Sequence, residues 1–144
     1  MGLVDISGCH HIRLTVTDVA RSLDFYTEVL GFTVLVRSPG DSADPAVRAD
    51  PSQLYGGAVM SSGSLVLGLR PVAVAGDRFD SEKPGLDHLS FSVASRSVLE
   101  DVRAALAERG VVHGEIKELT GFGIAIMSID DPDGIHLELT SPLS

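Results

Sequence analysis

Two half-length copies of one pattern run along this chain, and no other feature restricts its possible folds as much. The first copy opens on His11-Ile12-Arg13-Leu14-Thr15-Val16-Thr17, whose period of two predicts a half-buried strand. Asp18 then offers an N-cap to a helix whose apolar positions Val19, Leu23, Tyr26 and Leu30 recur at helical spacing, and Gly31 stops it. The second copy opens on His88-Leu89-Ser90-Phe91-Ser92-Val93. Ser97 and Glu100 read as a capping box for the next helix, Leu99, Val102 and Leu106 as its inward face, and Gly110 as its stop.

Short β-rich segments follow each helix, at residues 32–37, 57–61 and 64–70 in the first copy and 111–117, 123–129 and 135–140 in the second. Each half therefore reads β-α-β-β-β. The expectation is an α+β fold, one domain over residues 1–144 made of two tandem βαβββ modules at about 8–71 and about 85–142. A Ser-, Pro-, Gly- and Asp-rich loop at 38–56 has no counterpart in the second half and reads either as a lid or partner-contact segment or as a mobile surface insertion. Residues 70–85 read as the linker.

With 44% hydrophobic residues the chain has the apolar material for a core, which excludes long disorder. Its 20 acidic against 11 basic residues, a formal charge of -9, argue against nucleic acid or an anionic membrane as a partner. A single cysteine excludes a disulfide scaffold and any multi-cysteine zinc or iron–sulfur site. Residues 1–8 show no cationic start or apolar stretch of signal-peptide length, and no apolar run nears the ~18 residues that span a bilayer, so a cytoplasmic protein is expected.

Chemistry is then left to five histidines and the carboxylates, and strand alternation sorts them by face. Ile12, Leu14 and Val16 share one side of the opening strand, leaving His11, Arg13 and Thr15 on the other. Leu89, Phe91 and Val93 oppose His88, Ser90 and Ser92, and Ile135, Leu137 and Leu139 oppose His136, Glu138 and Thr140. In the matching first-half strand Leu65, Leu67 and Leu69 oppose Val66, Gly68 and Arg70. Polar groups gathered on the face away from the helices read as a cleft lining, because they would be costly in a core. His10 is in phase with Ile12, so His11 is the one aimed at the cleft.

Two imidazoles, His11 and His88, with the carboxylate of Glu138 can fill three adjacent corners of a metal's coordination sphere. The remaining corners stay open for water, oxygen or a chelating substrate. Such a set favours Fe(II) and is open to Mn, Ni, Zn or Co. Either histidine alone reads more readily as a solvated side chain; recurrence at matched positions, with an acid in phase, is what makes a metal site of them. Asp131-Pro132-Asp133-Gly134 reads as a tight turn that sets Glu138 at a fixed distance along the last strand.

His11-Ile-Arg-Leu-Thr-Val-Thr-Asp18, Ser22-x-x-Phe25-Tyr26-x-x-x-Leu30-Gly31-Phe32, the strand headed by His88, and Asp131-Pro-Asp-Gly-Ile-His-Leu-Glu138 together resemble the vicinal oxygen chelate superfamily. That group includes glyoxalase I, type I extradiol dioxygenases, methylmalonyl-CoA epimerase, fosfomycin-resistance thiol transferases and bleomycin-resistance proteins. The resemblance implies two βαβββ modules curled into an open half-barrel around a divalent metal, in a homodimer. The family's ligand positions fall on His11, Gly68, His88 and Glu138. Gly68 cannot ligate, so the implied set is His, His and Glu, as in the extradiol dioxygenases and the fosfomycin enzymes. Where glyoxalase I carries a carboxylate that helps move the substrate proton, this chain has Gly68. The dioxygenases' tyrosine before the final turn is Ser128 here, and the fosfomycin enzymes' threonine two residues after the first ligand is Arg13.

The expected function is that of a divalent-metal-dependent enzyme, dioxygenase-like or glyoxalase/lyase-like, acting on a small molecule that chelates the metal through adjacent oxygens. His136, on the face of Glu138, is the candidate acid–base group. Arg13 and Arg70 are candidates for steadying an anionic substrate, Arg70 reading equally as a solvated charge before Pro71. Phe122 is a candidate for shaping the substrate side of the cleft. Cys9 reads as an inert thiol, and His10 and His113 as bystanders. The alternative function is a drug- or metabolite-binding resistance protein of the bleomycin-resistance type, without catalysis.

Overall fold

The alternating run after His11 pairs as a strand, and Asp18 ends it by capping a helix: its side chain accepts from the N–H of Arg21 at 3.1 Å. In the computed structural model, which describes residues 2–143, the contacts separate the chain into two units between Gly76 and Asp77. The first holds β1 (Ile12–Thr15), α1 (Val19–Glu28), β2 (Thr33–Arg37), α2 (Pro45–Arg48), β3 (Ala58–Ser62) and β4 (Leu65–Arg70). The second holds β5 (Leu89–Ser92), α3 (Arg96–Glu108), β6 (Lys117–Leu119), β7 (Ile124–Asp130) and β8 (His136–Pro142). Each unit is a four-stranded mixed sheet with the same topology, β1-β4-β3-β2 and β5-β8-β7-β6, so the architecture is α+β.

In the first unit β1 runs parallel to β4, in a register that sets Ile12 beside Leu67 and Leu14 beside Leu69; Ala58 and Met60 of β3 continue that face. Leu14, Ala58, Met60, Leu67 and Leu69 are all buried, and α1, which packs against β2 and β4, contributes Leu23, Phe25 and Tyr26. Tyr26 meets Phe32 edge to face at 6.0 Å, a contact worth about 0.5–1.5 kcal/mol beyond its buried area. In the second unit β5 runs parallel to β8 with Leu89 beside Leu137 and Phe91 beside Leu139, and α3 buries Leu99 and Leu106. Each large aliphatic side chain so buried contributes roughly 1.5–3 kcal/mol. Among the described residues no helix is long and apolar enough to cross a membrane.

Three local expectations change. The cap of α3 is Ser95 rather than Ser97: its hydroxyl accepts from the N–H of Val98 at 3.4 Å, and Glu100 turns instead to Arg96. The extended chain stays tied to β8 only as far as Val93, whose N–H donates to the Thr140 carbonyl, so the helix starts two residues earlier than a Ser97 cap would allow. The strand expected at 111–117 is reduced to one bridge, His113 with Ile129, and regular pairing resumes only at β6. Gly114 sits so close to β7 that a Cβ there would stand 2.4 Å from the Ser128 hydroxyl. Finally, the linker divides: Ala73 donates to Val16 in the first unit, and Phe79 donates to the Asp133 carbonyl in the second.

Candidate functional site

The register of the second unit brings His88 and Glu138 together on the face opposite its core. Glu138 lies beside Ser90 on β5 and beside Ser128 on β7, both small, so its carboxylate has room to turn toward His88, which precedes β5. His88 Nε2 and Glu138 Oε2 are 3.9 Å apart. That separation is shorter than two metal–ligand bonds of about 2.0–2.2 Å laid end to end. Asp87 Oδ2 lies 2.6 Å from His88 Nδ1. In the tautomer that lets Nδ1 donate to Asp87, the Nε2 lone pair faces Glu138, the carboxylate–histidine arrangement that orients metal-binding imidazoles. The other oxygen of Glu138 is held as well: Thr140 donates to Oε1 at 3.1 Å and shares a hydrogen bond with Ser90. The pair therefore fits a divalent ion in donor type, and its spacing would close to the roughly 2.8–3.6 Å of adjacent donors with a shift of a few tenths of an ångström or more.

His11 lies in the first unit, exposed, one residue before β1. Its Nδ1 is 2.8 Å from Nδ1 of His10, so His10, expected to stand apart, engages the same ring nitrogen that Asp87 engages in His88. Both proposed imidazole ligands thus have Nδ1 occupied by the preceding residue and Nε2 open. Among the described residues no group of three or more His, Cys, Asp or Glu side chains is gathered in position to hold a metal, so the pair His88 and Glu138 is what the structure assembles of the expected triad.

His136 is half-buried at the start of β8, with Nδ1 2.8 Å from Asp130 Oδ1 and its ring edge-on to Phe79 at 5.7 Å. The turn before it forms as expected: Asp131 Oδ1 accepts from the N–H groups of Asp133 and Ile135, each at 2.9 Å, and Gly134 donates back to the Asp131 carbonyl. Phe122 is 80% exposed in a single helical turn after β6. His113 is half-buried, its Nδ1 2.8 Å from the Val111 carbonyl, and Cys9 is exposed.

On the opposite face of the first sheet from its core, β1 and β4 place Arg13 beside Gly68 and Thr15 beside Arg70. Both guanidinium groups lie over one ring, that of Tyr55, with Arg13 Cζ at 5.4 Å and Arg70 Cζ at 4.2 Å from its centre. Sequence reasoning reached both arginines and missed Tyr55, which the insertion delivers. Asp44 caps α2, and Asp50 caps the helical turn of residues 51–56, its carboxylate accepting from Ser52 and Gln53. Those bonds, the Ser52 hydroxyl foremost, hold the Asp50 carboxyl below its usual range. Leu54 and Tyr55 then adopt left-handed backbone at φ 53° and 58°, a strain of roughly 1–2 kcal/mol each. Gly57 follows pressed against β4, where a Cβ would stand 1.8 Å from the Leu69 carbonyl oxygen. The insertion is therefore structured, not a loose surface loop.

Comparison with known proteins gives a consistent answer. A model of the Glyoxalase/Bleomycin resistance protein/Dioxygenase superfamily matches residues 8–139. The glyoxylase/bleomycin resistance protein/dioxygenase domain from Frankia sp. EAN1pec is similar at 32% identity and a TM-score of 0.73, over 96% of this chain and 93% of that one. Two structures share the fold at lower identity. The lactoylglutathione lyase from Agrobacterium tumefaciens matches at 17% identity and a TM-score of 0.67, over 94% of each chain. A genomically encoded fosfomycin resistance protein from Listeria monocytogenes matches at 16% identity and a TM-score of 0.70, over 94% of this chain and 91% of that one. No curated protein matches the chain. With matched modules, a two-donor site in register and a family model spanning nearly its whole length, the chain belongs to the glyoxalase/bleomycin resistance/dioxygenase, or vicinal oxygen chelate, superfamily.

Proposed function

We propose that the protein is a divalent-metal-dependent enzyme of this superfamily, dioxygenase-like or lyase-like, acting on a small molecule with adjacent oxygens. His11, His88 and Glu138 are its metal ligands in this reading, and Fe(II) is the favoured ion, with Mn, Ni, Zn or Co as substitutes. The observation that carries the reading is the pairing of His88 Nε2 with Glu138 Oε2 at 3.9 Å while Asp87 holds the far side of the imidazole. When bound, the ion supplies Lewis acidity to the substrate's oxygens.

The chain's own residues do the rest. Asp87 and Thr140 hold the donors in place before substrate arrives, which lowers the reorganisation needed at the reacting step. His136, with Nδ1 engaged by Asp130, has Nε2 left to take or return a substrate proton. Arg13 and Arg70 hold a negative charge on the substrate, and Phe122 borders it. The reading includes a cytoplasmic homodimer; the family resemblance supports the homodimer.

The test is metal retention. Protein purified without chelator and offered Fe(II), Mn(II), Ni(II) and Zn(II) anaerobically is expected to retain a stoichiometric ion by elemental analysis. Replacing His11, His88 or Glu138 by Ala should each weaken retention by about 100-fold or more. Retention of no ion would sink the enzyme reading in favour of a metabolite-binding protein of the bleomycin-resistance type. Retention that survives all three substitutions would show the ligands to be others.

A further inference from the structure

Arg13 and Arg70 stand in a setting that the fold alone does not explain. Arg13 Nη1 and Arg70 Nε are buried and have no hydrogen-bond partner, and among the described residues neither guanidinium meets a carboxylate, in a chain with 20 acidic residues. Two like charges are nevertheless drawn over one aromatic ring, where they repel each other. The ring is carried there by two residues in left-handed backbone, and the local strain is held by the Asp50 cap and the close seat of Gly57. Gly68 completes the arrangement: a Cβ at that position would stand 2.9 Å from Arg13 Nη1 and 3.0 Å from its Cζ, so glycine lets Arg13 lie across β4 where a larger residue would push its guanidinium aside. Strain, like-charge repulsion and unpaired donors gathered in one place describe a site prepared for an anion.

We propose that Arg13, Arg70 and Tyr55 form an oxyanion site that takes the carboxylate, phosphonate or phosphate group of a small molecule. The Tyr55 face orients both guanidinium forks without using their N–H donors, so those donors remain for the oxygens of the anion. A formal charge of -9 keeps long polyanions away, which leaves a compact anionic group as the ligand. As the anchor of a substrate, the site rests on the proposed metal-dependent function and names its substrate class; as an anion site, it stands on the first unit alone.

The experiment is a titration of the full chain with inorganic phosphate and, separately, with malonate, against sodium chloride at matched ionic strength. Heat of binding and the 15N–1H signals of the arginine Nε–H groups report the outcome. Saturable binding above the chloride control is expected, with two shifted arginine signals. Arg13→Gln and Arg70→Gln should each weaken it at least tenfold. Arg70→Lys, which keeps the charge and loses the fork, and Gly68→Ala, which keeps both charges and crowds Arg13, should each weaken it severalfold. These two milder variants decide the matter should either glutamine variant fail to fold. Tighter malonate than phosphate assigns a carboxylate ligand; the reverse order assigns a phosphoryl or phosphonate one. His88→Ala and Glu138→Ala should leave anion affinity unchanged, so failure of the metal reading and failure of this one are separate results. No saturable binding of either anion, or an affinity unmoved by the arginine substitutions, would overturn the proposal.

Discussion

The two units share a topology and differ where their sheets face away from the helices. Beside the first strand of each unit, the parallel partner presents Gly68 opposite Arg13 in one and Glu138 opposite Ser90 in the other. Two residues on, Arg70 stands opposite Thr15, and Thr140 opposite Ser92. The first pair on each side is one large and one small side chain, with the large one moved to the other strand. In the first unit the strand-one residue is large and cationic, and its partner is glycine, which leaves it the most room; in the second the strand-one residue is a serine, so the partner has room for a carboxylate. One backbone register thus supports two arginines on the polar face in one copy and a histidine–carboxylate pair in the other. The face that meets the helix allows no such exchange, because volume there is already filled by packed aliphatic side chains.

Breaking the common part should cost most. Leu67→Ala and Leu137→Ala truncate matched, fully buried positions of the central strands, and each is expected to lower unfolding free energy by about 2–5 kcal/mol in denaturant titrations. Similar losses would confirm that the two cores are equivalent; a loss below about 1 kcal/mol at either would contradict the pairing of Leu67 with Ile12 or of Leu137 with Leu89. Next comes the donor side of the comparison. Asp87→Asn removes the charge behind His88 and should weaken metal binding by about 10–100-fold, with the melting temperature of metal-free protein unchanged. An unchanged metal affinity would make Asp87 a bystander.

The helix caps give the smallest effects and the sharpest test of local detail. Asp18→Ala and Ser95→Ala should each cost about 1 kcal/mol, while Ser97→Ala stays within about 0.5 kcal/mol. A larger cost at Ser97 than at Ser95 would restore the capping box that the spacing to Glu100 suggests.

What was legible before the structure was whatever repeats with a period. Alternation assigned Ile12, Leu14, Leu67, Leu69, Leu89, Leu137 and Leu139 to the helix side, and the pairing bears this out. The Asp131–Gly134 turn was legible because proline, glycine and an Asx side chain act within four residues of one another. Ser95 was hidden by a second serine two residues on, since the choice between them depends on where β5 lets go of β8. Asp87 was hidden because an acid before a histidine carries no pattern. Tyr55 was hidden most thoroughly: the insertion has no period, and its path depends on a left-handed turn and on Gly57 lying against Leu69.

The sequence by itself determined the two βαβββ modules, the sorting of polar and apolar faces, and the placing of Glu138 on the polar face of the last strand, because each follows from interactions between residues near in the chain or from a strict alternation. Tertiary structure alone decided that Nε2 of His88 stands 3.9 Å from Glu138, that Ser90 shares a hydrogen bond with Thr140, and that Tyr55 joins Arg13 and Arg70 over the space left by Gly68. Those outcomes depend on which side chains meet across strands and on how much volume each leaves its neighbour, and no spacing along the chain encodes either.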